Sequence, residues 1–411
     1  MNDAKNPTPD PTDPDNSAWE EAMSRDFDAR VRDLHEAPLD FDSVKGKART
    51  IRRNRRAAVA GGVLGVAAVI TPIAVVVGGN ADTNSDKPDF ANPSPTAAET
   101  SDPTITTPAD VAPDYVVQGE WHQADGDEIE LPRKDYSAAV LWDGQLVATY
   151  FGGEVFSVAD VIDEDGEVVD SFDTTAPVVV NDSGTTIAWV GTDGQVMTRW
   201  ADDQVSLGEV DLDASGEGIA YSAAAVTGGP SCYEAEDGCM VYVDSGDGQP
   251  QVFDSHGVND NPVPDAVDFG DASDTGLVTY RDEINDTGSC GGLIDLGRTD
   301  ATPVWEGCEI EAGPIAPDGQ HVIGLPAYYD GLGLSEITVR DARTGAETGR
   351  FAPEGGFVGS WAWSTDGRVI LDAYDGANWH LFALSTDGAL EEIAEQVKGP
   401  DFDSPFTMVQ H

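Results

Sequence analysis

APDGQHVIGL (316–325) and STDGRVILDAY (364–374) share one make-up: an Asp-Gly turn, then a run of β-branched and other apolar residues. Glycine accepts the positive φ that a tight hairpin demands, and β-branched side chains favour a pleated strand. Four more copies occur upstream: DGQLVATYF from Asp143, SGTTIAWVG from Ser183, DGCMVYVDS from Asp237 and TGLVTYRDE from Thr275. Their glycines stand at 144, 184, 238, 276, 319 and 367, in steps of 40, 54, 38, 43 and 48. Most copies are followed by a second strand pair with its own turn, clearest in SEITVRDARTGAETGRF (335–351) and NWHLFALSTDGALEEI (378–393). Four short strands in about 40–45 residues is the signature of a propeller blade. The expected fold is therefore an all-β propeller over 115–411, with helical periodicity nearly absent there.

Six repeats lie between 136 and 395. Strand-like YVVQGEW and EIELP (115–132) precede them, and SPFTMVQ (404–410) follows. Pairing the two chain ends in one sheet predicts a seventh blade, and seven blades of about 42 residues fit a normal period. Six blades is the alternative.

The S/A-P-D-G-x-x-I/L/V pattern in both opening segments resembles that of TolB-type and related β-propellers. ITVRDARTGAE (Ile337–Glu347) is similar to the outer hairpin of their blades. The resemblance spans roughly 136–395 and implies the fold. It does not imply an activity, since propellers host many unrelated functions.

Upstream, Lys45, Lys47, Arg49, Arg52, Arg53, Arg55 and Arg56 lead into Ala57–Val77, 21 uncharged residues whose only polar side chain is Thr71. At about 1.5 Å per residue such a helix crosses a hydrocarbon core of about 30 Å. The basic cluster, with Arg52, Arg53, Arg55 and Arg56 nearest the span, sets the N-terminus in the cytoplasm. The expected order is a polar, Pro-rich disordered tail (1–16), a cytoplasmic helix and basic stop (17–56), a transmembrane helix (57–79), a Pro/Thr/Asp-rich linker (80–114) and an extracellular propeller (115–411). A cleaved signal peptide is the weaker alternative, because 56 residues precede an apolar run longer than a usual h-region.

Ser17-Ala18-Trp19-Glu20 forms a capping box, and Trp19, Met23, Phe27, Val31 and Leu34 follow as one apolar helical stripe ending near Pro38. A lone helix has no core to bury that stripe, so it either docks onto a cytoplasmic protein partner or the membrane or is only partly formed; the acidic residues on its other face argue against the membrane. The layout resembles a common actinobacterial arrangement of short inner helix, Arg-rich stop, single span and acidic exterior. In some of those proteins the inner part restrains a sigma factor. The zinc-binding His and Cys of the better-known anti-sigma domains have no counterpart before Cys232.

The exterior is strongly acidic. Of 22 Lys and Arg, 11 lie at or before Arg56, against only 12 of the 76 Asp and Glu. Such a surface repels nucleic acid and anionic headgroups; it is expected to be a solubility or salt adaptation, with a basic partner or loosely held divalent cations as the alternatives. Cys232, Cys239, Cys290 and Cys308 all lie outside, where an even count is expected to form disulfides. Sequence proximity favours Cys232–Cys239 and Cys290–Cys308; a zinc site is the runner-up, with spacings that fit no usual pattern.

Catalytic motifs are weak. Asp163-Glu164-Asp165-Gly166-Glu167 lacks the spacing of a calcium loop, because Val161 and Phe172 fall where acids belong. Asp182-Ser183-Gly184-Thr185-Thr186 partly matches an Asp-box turn, but no pattern groups Arg133, Arg199, Arg281 and Arg340 into a sialidase triad. There is no G-x-S-x-G, and few histidines are present to serve a nucleophile. Most of the eight tryptophans beyond the linker are expected between blades, with a sugar-binding platform as the alternative. The expectation is a membrane-anchored binding or scaffold module, not an enzyme, taking a protein or glycan ligand and using no cofactor. A signalling regulator and a cell-envelope hydrolase are the alternatives.

Overall fold

A computed structural model describes residues 113–411, apart from 154–155, 202, 213–220, 230–237, 246–248, 260, 286–287, 299–301 and 329–332. The predicted helix with Trp19, Met23, Phe27, Val31 and Leu34, the arginines 52, 53, 55 and 56, and the apolar span lie outside the described residues, as does Cys232. Among the described residues all regular structure is β-strand.

The described chain begins with β1 (Tyr115–Val117), β2 (Glu120–His122) and β3 (Glu128–Glu130). Blade 1 follows as β4 (Ala138–Trp142), β5 (Gln145–Phe151), β6 (Ser157–Ile162) and β7 (Val168–Thr174). Blade 2 is β8 (Val179–Val180), β9 (Thr186–Val190), β10 (Gln195–Trp200) and β11 (Asp203–Glu209). Blade 3 is β12 (Tyr221–Thr227), β13 (Met240–Ser245), β14 (Gln251–Asp254) and β15 (Gly257–Asn259). Blade 4 is β16 (Asp268–Ala272), β17 (Leu277–Asn285), β18 (Gly288–Asp295) and β19 (Pro303–Gly307). Blade 5 is β20 (Ile310–Ile315), β21 (His321–Pro326), β22 (Ile337–Asp341) and β23 (Glu347–Phe351). Blade 6 is β24 (Phe357–Trp363), β25 (Val369–Tyr374), β26 (Asn378–Leu384) and β27 (Leu390–Glu392), with β28 (Val397–Lys398) added to β26. β29 (Phe406–Gln410) ends the chain.

β29 closes the ring. It pairs antiparallel with β1, Tyr115 opposite Met408 and Val117 opposite Phe406, to complete a sheet β29-β1-β2-β3. On its other side it pairs parallel with β4 through Val409–Ala139 and Gln410–Val140. This is the seventh blade expected from the surplus ends. The innermost strands β4, β8, β12, β16, β20, β24 and β29 neighbour one another in that order and return to β4.

The hydrophobic core is divided into seven layers, one between each pair of neighbouring blades. The closing layers show the pattern: Val116, Trp121 and Val409 of blade 7 meet Leu146 and Ile162 of blade 1, while Phe406 and Met408 meet Ile370, Trp379 and Leu381 of blade 6. A middle strand packs on both faces, which is why Thr186–Val190 is buried at every position and reads as an unbroken apolar run. Tryptophans fill most layers: Trp121, Trp142, Trp189, Trp200, Trp361, Trp363 and Trp379 are buried, and Trp305 is half-buried.

The repeated turns differ in one respect from the reading above. Among the copies whose turn residues are all described, only Asp143-Gly144 has both residues at positive φ (50° and 77°). In the turns at Gly319 and Gly367 the glycine alone takes positive φ. There the aspartate acts through its side chain: Asp318 Oδ1 accepts the Gln320 N–H at 2.8 Å, and Asp366 Oδ1 that of Arg368 at 3.2 Å.

Two faces result. The turn face carries the β4–β5 and β6–β7 turns and their equivalents; the loop face carries the β5–β6 and blade-to-blade connections. β29 runs parallel to β4, so His411 lies on the turn face, 3.5 Å from Asp114 just before β1. The chain thus enters the ring on the turn face.

Candidate functional site

A groove of about 540 Å³ opens on the turn face between blades 1 and 2, lined by Trp142, Asp143, Gln145, Val169, Asp170 and Arg199. Each reaches it for a local reason. Trp142 ends β4 with its ring buried and its Nε1 donating to Thr185 O of blade 2 at 3.0 Å. Asp143 starts the tight turn, where its φ of 50° suits an Asp or Asn. Val169 is the extra residue of a β-bulge: Asp170 pairs with Val161 and Val168 with Ile162, leaving Val169 between them. Bulges re-aim side chains at strand edges, and Val169 is 54% exposed.

Arg199, from β10, forms the far wall. Its Nη1 lies 2.6 Å from Asp170 Oδ2, and its guanidinium sits 4.9 Å from the centre of a Trp142 ring. The arginine is therefore held by a carboxylate and a π-face. Asp143, by contrast, has an exposed carboxylate with no hydrogen bond or ion pair among the described residues. The groove is lined mostly by polar atoms, with one committed ion pair, one uncommitted anion and the exposed Val169.

Two further polar clusters sit where blades meet. At the loop-face ends of blades 3 to 5, buried Arg281 donates from Nε to Asp268 Oδ1 at 2.7 Å and also contacts Asp268 Oδ2. Its Nη1 lies 3.4 Å from Glu311 Oε1, and Ser289 Oγ donates to Glu311 Oε2 at 2.8 Å. Asp244 accepts the Phe269 N–H at 2.9 Å with Oδ1, while its buried Oδ2 has no hydrogen-bond partner. Burial raises all three carboxyls, and Asp244 is raised well above the usual carboxylate range by its burial, with the neighbouring Asp268 adding to it. The Cys290–Cys308 disulfide clamps this corner, joining the neighbour of Ser289 to the segment leading into Glu311. Cys239 is also disulfide-bonded.

At the turn-face mouth of the ring, Asp274 N–H donates to Asp182 Oδ2 at 2.8 Å and Gly228 N–H donates to Asp274 Oδ1 at 2.7 Å. These bonds tie blades 2, 3 and 4. Asp271 accepts from Ile315 N–H of blade 5 at 2.7 Å. Burial pushes Asp182 and Asp271 up to about 7. Among the described residues no group of His, Cys, Asp and Glu is arranged to hold a metal ion.

The Asp163–Glu167 stretch is the β6–β7 turn, where Asp163 Oδ1 accepts the N–H groups of Asp165 (3.1 Å) and Glu167 (2.9 Å). Of the four separated arginines, only Arg199 lines the groove. Arg133 pairs with Asp135 and Arg340 with Glu347. Trp142, Val169 and Arg199 share no spacing in the sequence that would group them.

No protein-family model and no curated protein matches the chain. Among solved structures it is similar to the Cps50 (Swd1) β-propeller domain of Myceliophteria thermophila, at 10% identity and a TM-score of 0.45, over 70% of this chain and 90% of that one. It is also similar to TolB from Acinetobacter baumannii, at 13% identity and a TM-score of 0.41, over 74% and 68%. A chain of the Mitotic Checkpoint Complex matches at 13% identity and a TM-score of 0.42, over 74% and 89%. The strand order and the seven core layers by themselves make the described residues a propeller.

Proposed function

We propose that the chain is a single-pass membrane protein whose extracytoplasmic propeller serves as a binding or scaffold module. The observation that supports this reading is the closed seven-bladed ring, whose turn face presents an open, mostly polar groove between blades 1 and 2. The anchor is supported by the sequence alone, through the basic cluster and the Ala57–Val77 run. With that anchor, the linker joins the ring on its turn face at Asp114, beside His411. Burial pushes the His411 imidazole down to about 4, so this junction carries no histidine charge at neutral pH.

A second reading is a transmembrane regulator, favoured by the Trp19–Leu34 stripe, which needs a partner to cover it. Cross-linking capture from intact membranes separates the two. Three forms are compared: the full chain, a form lacking 1–44, and a form with 113–411 replaced by an unrelated propeller. Partners lost only on propeller replacement support the binding module. Partners lost only with 1–44 favour the regulator and overturn the first reading. Absence of any specific partner refutes both.

A further inference from the structure

His380 stands on β26 where the last segment of blade 6 changes its pairing. β26 pairs with β27 from Phe382–Glu392 to Leu384–Leu390, and with β28 through Asn378–Lys398 and Trp379–Val397. Between the two, Ile393 N–H donates to Leu381 O at 2.9 Å before the chain rejoins β26 at Val397. Beyond β28, Trp379 Nε1 donates to Pro400 O at 2.9 Å and Ser404 Oγ to Asp372 Oδ2, and the chain then becomes the closing strand β29.

The His380 imidazole has a carboxylate at each ring nitrogen. Nδ1 lies 2.7 Å from Glu392 Oε1, and Nε2 lies 3.1 Å from Asp375 Oδ2. A neutral imidazole carries one N–H, so it serves one carboxylate and turns a lone pair on the other; only the imidazolium donates to both. Burial disfavours that charge, but the two carboxylates outweigh it and raise the imidazole above its ordinary 6.5. The carboxylates are not equal. Asp375 Oδ1 also accepts the Ala377 and Asn378 N–H groups at 2.8 and 2.7 Å, which fixes it in the β25–β26 turn. The Glu392 side chain is exposed and has no other hydrogen bond or ion pair among the described residues. Of the other charged groups around β26, Glu391 pairs with Arg368, and Asp372 of β25 is turned to Ser360 and Ser404. Arg350 of blade 5 pairs with Glu336 and Glu347, and Glu395 and Lys398 are exposed.

We propose that His380 is a proton-operated latch on the closing connection: its imidazolium ties Glu392 to the Asp375 turn, and loss of the proton releases Glu392 and loosens residues 393–405, which lead into β29. A pKa raised by folding contributes stability that is whole below 6.5 and is lost as pH rises through the folded midpoint. The latch is therefore shut in mild acid and opens as the medium turns alkaline.

The test uses the purified full chain in detergent between about pH 5 and about pH 9, with NMR of ring-labelled histidine and hydrogen exchange followed by mass spectrometry. His380→Gln assigns the His380 signal among the six histidines. The wild-type midpoint is expected above 6.5, and Glu392→Gln is expected to lower it. After correction for the intrinsic pH dependence of exchange, peptides from 393–405 should exchange at least about threefold faster above the midpoint than below it, with β5 and β9 unchanged. Both variants should exchange at the fast wild-type level at every pH. A wild-type midpoint at or below 6.5 overturns the inference. So does exchange in 393–405 with no step at the midpoint, or a step that survives in Glu392→Gln. A step of equal size in every blade also overturns it, because the whole ring then responds.

Discussion

Asp372→Asn is expected to stabilise the propeller, and only at neutral and alkaline pH. Asp372 lies on β25 with no exposed surface. Its Oδ1 accepts the Ser360 N–H at 2.7 Å; its Oδ2 accepts the hydroxyls of Ser360 at 2.9 Å and Ser404 at 2.5 Å. Burial is the largest influence and pushes its pKa up to about 6, against 3.8 as an ordinary carboxyl, while these hydrogen bonds pull the other way. A group whose folded pKa is raised contributes stability that is whole below the unfolded value and is lost as pH rises through the folded one. Holding the charge at pH 8 therefore costs about 3 kcal/mol relative to pH 4, at about 1.4 kcal/mol for each pH unit between 3.8 and 6. An asparagine keeps an acceptor for Ser360 N–H and offers an amide N–H to the hydroxyls, which can reverse. The measurement is urea unfolding of the full chain in detergent, followed by tryptophan fluorescence, at pH 4 and pH 8. The variant should match the wild type at pH 4 and exceed it by up to about 3 kcal/mol at pH 8. A variant less stable at pH 8, or a difference that does not widen with pH, refutes the reasoning.

Arg281→Met leaves Asp268 and Glu311 buried without their cation, and should cost about 3–5 kcal/mol at pH 8. Because burial raises both carboxyls, protonation relieves the defect, so the loss in urea unfolding should shrink toward pH 5. Replacing Cys290 and Cys308 by serine removes a cross-link spanning 18 residues. Loop-closure entropy predicts a loss of about 3 kcal/mol, and hydrogen exchange should quicken in β18 and β20 before the other blades. Deleting residues 404–411 removes β29 from two core layers and two sheet pairings. Its product should lack a cooperative thermal transition by calorimetry, whereas an opened ring that still melts at the wild-type temperature would contradict the closure.

Much of the fold was legible along the chain because blade formation is local. Each hairpin needs a glycine at positive φ and two apolar runs, and Gly319 and Gly367 with their following strands announce both. Even the seventh blade was legible, since 115–132 and 404–410 were strands without partners inside any repeat. What the turn aspartates do was not legible. Asp-Gly at 143 and Asp-Gly at 318 are the same dipeptide, yet only the first puts both residues at positive φ; the difference lies in turn length.

The candidate site belongs to the other class. A bulge at Val169, an arginine from the next blade and a tryptophan ending an inner strand converge only when neighbouring blades pack. The same holds for Arg281 with Asp268, Glu311 and Ser289, drawn from β16 to β20, and for the Asp182–Asp274 bridge across blade 3. Sequence by itself determined the repeating β architecture and the acidic character, because these follow from local geometry and summed charge. Tertiary structure alone decided which charges are buried, which are paired and where a concave surface opens, because those depend on distances between segments far apart in the chain.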